Sequence, residues 1–352
     1  MTHYPQRRTA SGQNNNDYFI MTTLKIGTRG SALAMYQTNL VADKLRALHT
    51  DIETEIVQIK TSGDWKPSHG ETRLSEAAGG KGLFAKEIEQ ALLEGEIDCA
   101  VHSMKDMPSF LPENLILDCV LPPGDERDAL ILTEALRGKV KNLDDLPKGA
   151  VVATSSTRRA SYILHSRPDI KIVPIRGNVP TRLAKVREQK MADATILACA
   201  GLERLGLSSE IDYIFDTQTE MMPAVCQGII CVETRKGDKK TRNIIAALNC
   251  HHTAIRASAA RGALKALDGS CQTPIGVRTD YQDDVLDIQL AVLSLDGQEK
   301  FEEYVSADSI NTTEAAHDLG FALGQAVRAQ LPEHILRPDD GIPASKITHI
   351  DE

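Results

Sequence analysis

The chain has 352 residues, 41% hydrophobic and 25% charged, with 40 Lys+Arg against 49 Asp+Glu and a formal net charge of −9. That composition excludes collagen, intrinsic disorder and a disulfide scaffold, and the length accommodates two or three domains, each with its own core. The acidic total argues against a long polyanion or an anionic membrane as main partner, because counterion-driven binding needs a basic face.

Residues 1–22 read as a flexible tail. Arg7-Arg8 precedes the polar run Ser11–Asp17, where an export signal would need an apolar segment, and Met21 offers an alternative start. The ordered chain opens with a strand, Leu24–Gly27, then the loop Thr28-Arg29-Gly30-Ser31. A helix follows with Leu33, Tyr36, Leu40, Val41, Leu45 and Leu48 at helical spacing. Residues 63–80, rich in Gly, Ser and charge, read as a mobile loop. It runs into Gly79-Gly80-Lys81-Gly82, which brings a lysine and bare backbone near an anion without being a P-loop.

The strand, polar turn, helix pattern recurs. Ile97–Val101 leads into His102-Ser103-Met104-Lys105-Asp106, and Ala150–Ala153 into Thr154-Ser155-Ser156-Thr157-Arg158-Arg159. Ile172–Ile175 leads into Arg176-Gly177-Asn178, with Pro180 suited to a first helical turn, and Thr195–Cys199 into Gly201-Leu202-Glu203-Arg204. Strands alternating with helices predict parallel α/β sheets. Met222–Gly228 reads as a crossing segment. Beyond it, Leu286, Ile288 and Leu290 alternate with polar residues, Asp296-Gly297 offers a hairpin turn before Phe301–Val305, and a helix over Thr312–Leu331 turns Ala315, Leu319, Ala322, Leu323, Ala326 and Val327 inward. This part is expected to be a small α+β domain.

No apolar run reaches the ~18 residues of a membrane helix. The seven cysteines (Cys99, Cys119, Cys199, Cys226, Cys231, Cys250, Cys271) form no C-x-x-C pair and read as reduced thiols of a cytoplasmic protein. Cys250-His251-His252 is not expected to bind metal, since adjacent histidines diverge.

Charge is unevenly spread. Residues 151–190 carry nine cations and two anions, a local +7 that leaves −16 for the remainder. Lys185 and Lys190 read as solvated helix positions. Arg158, Arg159, Arg176 and Arg182 instead follow strand ends, where open α/β sheets bind ligands. Helix N-termini add partial positive charge there, and Thr154, Ser155, Ser156 and Thr181 add hydroxyls, so the stretch is a cradle for carboxylates, with Arg29 and Ser31 repeating it earlier. Asp106 has two readings: a turn cap, or a carboxylate facing the cationic cleft that stabilises positive charge and hands a proton to a leaving group. Cys271, in Gly269-Ser270-Cys271-Gln272-Thr273-Pro274, is either a reactive loop thiol or an inert one.

Taken in order, Thr28–Ser31, Gly79–Phe84, Val101–Asp106, Thr154–Arg159, Arg176–Arg182 and Cys271–Gly276 resemble the motifs of the porphobilinogen deaminase (hydroxymethylbilane synthase) family, from about Leu24 to the C-terminus. The resemblance implies an α/β fold of two periplasmic-binding-protein-like (type II) lobes with a cleft between them, plus a small C-terminal α+β domain with an antiparallel sheet. Its expected boundaries are 23–122 with 226–247 for the first lobe, 123–225 for the second and 248–345 for the third domain. It implies a dipyrromethane cofactor joined by a thioether to Cys271. It also implies a transferase that links four porphobilinogen molecules into hydroxymethylbilane with release of ammonia, in tetrapyrrole biosynthesis. Asp106 matches the catalytic aspartate, and Arg29, Ser31, Lys105, Arg158, Arg159, Arg176, Arg182 and Arg204 match residues holding the acetate and propionate groups. Lys81, Thr154, Ser156 and Gln227 join the same cofactor-binding set. No metal is implied. A cytoplasmic monomer that passes its product to uroporphyrinogen-III synthase is expected.

The cationic lining answers a physical need. A chain growing from two rings to six gathers four to twelve carboxylates, and one charge pair at ~4 Å is worth about 4 kcal/mol at an effective dielectric of ~20. In that setting Asp106 is expected to be the only nearby anion. Three positions depart from the family pattern: Cys226 and Ser270 stand where it has Gly, and Ala260 where it has Glu. Two rival readings are a two-lobed polycarboxylate-binding module and a nucleic-acid binder. The second is opposed by a cationic stretch whose only aromatic is Tyr162.

Overall fold

The computed structural model describes residues 22–62, 85–267 and 273–336. In chain order the first lobe supplies β1 (Thr22–Thr28), α1 (Ala32–Leu48), β2 (Ile52–Gln58), α2 (Lys86–Glu94), β3 (Cys99–Ser103), the 3₁₀ turn Met104–Asp106 and β4 (Leu115–Val120). The second supplies β5 (Asp128–Leu132), β6 (Val151–Ala153), α3 (Thr157–Ser166), β7 (Lys171–Val173), α4 (Val179–Arg187), β8 (Ala194–Ala198), α5 (Cys199–Arg204) and β9 (Tyr213–Ile214). The chain then returns as β10 (Ile230–Arg235) and α6 (Lys239–Ala246). It ends in α7 (His251–Ala266), β11 (Ile275–Gln282), β12 (Val285–Leu293), β13 (Lys300–Ala307), α8 (Thr313–Gln330) and α9 (Glu333–Leu336).

The first sheet has the order β2-β1-β3-β10-β4, and the second β7-β6-β8-β5-β9. In each, one strand runs against its neighbours: β10 is antiparallel to β3 and β4, and β5 to β8 and β9. Both reversed strands are the ones entered by crossing between lobes, and the crossings touch, with Gly124 N donating to Gly228 O at 3.1 Å. The third sheet is the expected meander β11-β12-β13, antiparallel throughout.

The polar turns form as the sequence suggests. Ser31, Ser156 and Asn178 cap α1, α3 and α4 by accepting from Ala34 N, Arg159 N and Thr181 N, and Pro180 lies in the first turn of α4. Two helices turn different faces inward from those the apolar spacing predicts. On α1, Tyr36 and Leu48 are exposed while Gln37 and Thr38 are buried, because that face meets the end of β3 and Gln37 Nε2 donates to Ser103 Oγ at 2.9 Å. On α8, Ala322 and Ala326 face solvent, and the buried stripe is Ala316, Gly320, Leu323, Gly324 and Val327. The reason is backbone proximity: a Cβ on Gly320 would stand 2.0 Å from Ala259 O, and one on Gly324 2.6 Å from Ala263 O, so α7 and α8 approach more closely than side chains allow.

The third domain packs on both lobes. Val120, Cys231, Met104 and Met107 share a core with α7, α8 and the meander, whereas Ala291 and Leu293 join the second lobe's core. The β12–β13 tip seats on α3, with His165 Nδ1 2.8 Å from Gly297 O. The helix that starts at Ser156 and carries Arg158 and Arg159 is thus held from below by the third domain.

Candidate active site

At the C-terminal edge of β1 and β3 an open cavity is lined by Arg29, Ser31, Gln37, Ser103, Asp106 and Met107, among others. Strand ends place these groups and the capped start of α1 orients Ser31. Asp106 closes the 3₁₀ turn whose cap position is Ser103, and its half-buried carboxylate lines the cavity. Its place on the cavity wall is compatible with the cavity-facing reading of Asp106. Gln37, 2% exposed, was missed from sequence because an apolar-periodicity reading passes over a glutamine inside a helix.

The crossing segment and the second lobe build a buried charge cluster around Asp128, the first residue of β5. Its Oδ2 accepts from Arg158 Nη2 at 2.7 Å, and its Oδ1 from Arg159 Nη2 at 2.7 Å, Arg159 Nε at 3.0 Å and Gln227 Nε2 at 3.1 Å. Arg158 Nη1 also donates to Met222 O and Arg159 Nη1 to Ile196 O. From the first lobe, Lys105 Nζ donates to Gln227 Oε1 at 3.2 Å. Lys105, Gln227 and Asp128 form one chain of hydrogen bonds from lobe to lobe.

Burial alone would raise the Asp128 carboxyl, but Arg158 and Arg159 hold it well below the usual carboxylate range. Burial, reinforced by Arg159, pushes the Lys105 ammonium down to about 8, against the pull of Asp106 and Asp128. Burial likewise lowers Arg159. With Lys105 protonated, three cations surround one carboxylate, so the cluster keeps excess positive charge that draws in anions. Asp128 also corrects the expectation that Asp106 is the only nearby anion. Nothing local to Glu126-Arg127-Asp128 marked it, since its partners are remote in sequence.

The remaining residues divide by surroundings. Thr154 is buried and its Oγ1 accepts from Ser156 N at 3.2 Å, while Ser155 Oγ is occupied by Ile175 O at 2.8 Å. Arg176 is buried, and Arg182 Nε donates to Gly177 O at 2.8 Å. Thr181 Oγ1 donates to Asn178 Oδ1 at 2.7 Å. Arg204, lowered by burial, donates to Gly228 O beside the inter-lobe crossing. Arg29 lines the cavity of the first lobe. Lys81 and Cys271, with Ser270 and the loop 63–80, lie outside the described residues. Cys226 is buried at φ 59°, the left-handed region that favours glycine. No group of three or more His, Cys, Asp or Glu side chains able to hold a metal ion occurs among the described residues. No helix among them is long and apolar enough to cross a membrane.

The donor set suits a ligand bearing several carboxylates: cations in excess of anions, an open cavity, and the buried Arg158 Nε without a partner among the described residues. Comparison with known proteins agrees. Residues 24–243 match the family model "Porphobilinogen deaminase, dipyromethane cofactor binding domain", and residues 254–329 match "Porphobilinogen deaminase, C-terminal domain". The porphobilinogen deaminase of Paracoccus denitrificans is 43% identical over 88% of this chain and 95% of its own length. That of Nitrobacter hamburgensis is 43% identical over 91% and 96%, and that of Bacillus pumilus 44% identical over 81% and 89%. Among solved structures, an ancestral cationic amino acid solute binding protein is similar at 17% identity and TM-score 0.39, over 65% of this chain and 89% of that one. The reduced OxyR regulatory domain of Pseudomonas aeruginosa is similar at 12% identity and TM-score 0.38, over 65% and 97%. The sequence matches, which span both the lobes and the third domain, establish that the chain belongs to the porphobilinogen deaminase family, transferases that polymerise porphobilinogen to hydroxymethylbilane.

Proposed function

We propose that the reaction is carried out in the cavity that Asp106 lines, with the Lys105–Gln227–Asp128 chain joining the lobes behind it. The observation that carries this reading is the pairing of one cavity-facing carboxylate with a buried cluster of excess positive charge. Bound there, a dipyrromethane supplies the growing end to which each new pyrrole is joined. Arg29 and Ser31 bind its carboxylates from the first lobe, with Lys81 and Lys105 adding charge. Thr154, Ser156, Arg158, Arg159, Arg176, Arg182 and Arg204 do so from the second. Gln227 orients Lys105 against Asp128. Asp106 stabilises positive charge as it develops on the ligand and hands a proton to the departing amine. Family membership sets aside the alternative of a polycarboxylate-binding module.

Cys271 anchors the dipyrromethane through a thioether and takes no part in each turnover. The domains divide at 23–122 with 226–247, 123–225, and 248–345, following the two crossings and the start of α7. The protein works as a cytoplasmic monomer and passes its product to uroporphyrinogen-III synthase. Intact-protein mass spectrometry tests the anchor: an added mass of two linked pyrrole units is expected in the native chain and is expected to be lost in Cys271→Ser. An active protein of unmodified mass would overturn the proposal.

A further inference from the structure

The third domain grips both of the crossings by which the chain passes between the lobes. On the outward crossing, which runs into β5, Glu126 Oε2 accepts from Arg256 Nη2 of α7 at 2.6 Å. The same guanidinium reaches β11, where Arg256 Nε donates to Thr279 O at 2.9 Å. On the return crossing, Pro223 O accepts from Val277 N of β11 at 3.0 Å. The approach there is close, since a Cβ on Gly276 would stand 2.8 Å from Met222 Cβ.

The two crossings are also tied to each other. Gln227 Nε2 donates to Glu126 O at 2.8 Å and to Asp128 Oδ1 at 3.1 Å, and its Oε1 accepts from Lys105 Nζ at 3.2 Å. Glu126 is thus where all three domains meet: its carboxylate holds the third domain, and its carbonyl holds the glutamine that runs from lobe to lobe.

The sequence of α7 makes this pairing an inter-domain one. The helix contains no Asp or Glu, and Ala260, where the family has Glu, is buried one turn beyond Arg256. The carboxylate that Arg256 meets comes from outside its own domain. Both side chains stay partly exposed, at 20% and 26%, so the pair adds little to overall stability. A planar guanidinium bound at once to a carboxylate and a strand carbonyl does fix orientation.

We propose that Arg256, acting through Glu126, is a positioning residue that makes the third domain follow the inter-lobe crossings. β11 begins four residues after Cys271 in the sequence, so the segment pinned at Val277 and Thr279 is close along the chain to the proposed anchor. Each addition lengthens the chain between that anchor and the growing end, while Asp106 stays with the first lobe. The third domain must change its place against the lobes as the chain grows, and the Glu126–Arg256 pair makes that change follow a turn about the crossings. The inference rests on the anchoring proposed for Cys271 and goes beyond it in naming what couples the anchor's domain to the lobes.

The test compares the native holoenzyme with Arg256→Gln, Glu126→Gln and the double variant, following intact mass in time after mixing with limiting porphobilinogen. The first addition is expected within about twofold of the native rate, and the third and fourth about five- to tenfold slower in either single variant, so that partly elongated species accumulate. The double variant is expected to be no slower than the singles, because both substitutions break one contact. Thermal midpoints are expected to stay within about 3 °C of the native protein. Native rates at every step in Arg256→Gln, equal slowing of all four additions, or effects that add in the double variant overturn the proposal. Where Arg256→Gln does not fold, Glu126→Gln decides, since it keeps the carbonyl bond to Gln227. Hydrogen exchange over residues 275–279 in the resting protein needs no substrate. It is expected to quicken about equally in the two single variants, and exchange unchanged in both also overturns the proposal. A native chain without the pyrrole mass would overturn the anchoring at Cys271 instead, and the exchange measurement then decides the coupling by itself.

Discussion

Asp128 and Arg159 meet through two hydrogen bonds to one carboxylate oxygen, at 2.7 and 3.0 Å, while the other oxygen takes Arg158. All three side chains are buried, with Asp128 fully so. A buried ion pair of this kind is weak evidence for stability as such, yet removing one member strands the others in low dielectric. Ionised Asp128 ties the two guanidinium groups of the second lobe together, while Met222 O and Ile196 O each hold one of them from the backbone.

Asp128→Asn is expected to cost about 3–5 kcal/mol of stability at neutral pH, because two buried arginines lose their counter-charge. Asp128's folded-state pKa is depressed, so its contribution is fully present above the unfolded value of about 3.9 and is lost as pH falls through the lower folded value. Urea unfolding at a series of pH values should therefore show the gap between native and variant narrowing below about pH 4. A gap that stays constant with pH would show that Asp128 does not act through its charge.

Asp106→Asn should leave the attached cofactor mass in place and lower kcat by about 10²–10⁴, the range for losing a positioned acid or base. Paired mass and steady-state measurements check this. Near-native rates would take Asp106 out of catalysis.

Lys105 carries the alkaline prediction. Its folded-state pKa of about 8 lies below the unfolded value near 10.4, so above about pH 8 the cleft loses a cation. Because the unfolded chain binds the extra proton in that window, Lys105's contribution to stability rises with pH there, while affinity for carboxylates falls. KM for porphobilinogen is expected to rise through that range, and Lys105→Arg is expected to push the rise to higher pH. Identical profiles for the two proteins would contradict the assignment.

Cys226 sits at φ 59° with its thiol in the third-domain core, pushed up to about 11 by burial. Glycine there trades a left-handed penalty of about 1–2 kcal/mol against lost packing and greater chain entropy, so Cys226→Gly should fall within about 1 kcal/mol of the native protein. Cys226→Val, with branching at Cβ, should cost more than about 2 kcal/mol. Thermal unfolding of both separates backbone strain from packing, and equal losses would refute the strain.

Gly320→Ala places a methyl group 2.0 Å from Ala259 O, so α7 and α8 must separate. A loss of about 1–3 kcal/mol is expected, as for overpacked cores. The exposed Ala322→Ser on the same helix serves as control and should change stability by less than about 0.5 kcal/mol.

Much of this molecule was legible in the chain. Strand, polar turn and helix followed one another because the turn residues act locally, with Ser31, Ser156 and Asn178 capping the helices they precede. The local +7 over residues 151–190 pointed to carboxylates despite a total of −9. The motifs carried the family because spacing within a motif is set by one turn of backbone. Other features depend on neighbours far along the chain. Asp128 meets Arg158, Arg159 and Gln227 at separations of 30, 31 and 99 residues, and no local pattern encodes such a meeting. The inward face of α8 was misjudged because hydrophobicity scores alanine above glycine, while the packing of α7 rewards the residue that brings backbones together. Sequence alone determined which chemistry the chain carries, since side-chain type and local turn geometry are written residue by residue. Only the tertiary structure decided which of those charges are buried together and what neutralises them, because burial and Coulomb energy depend on distance in space.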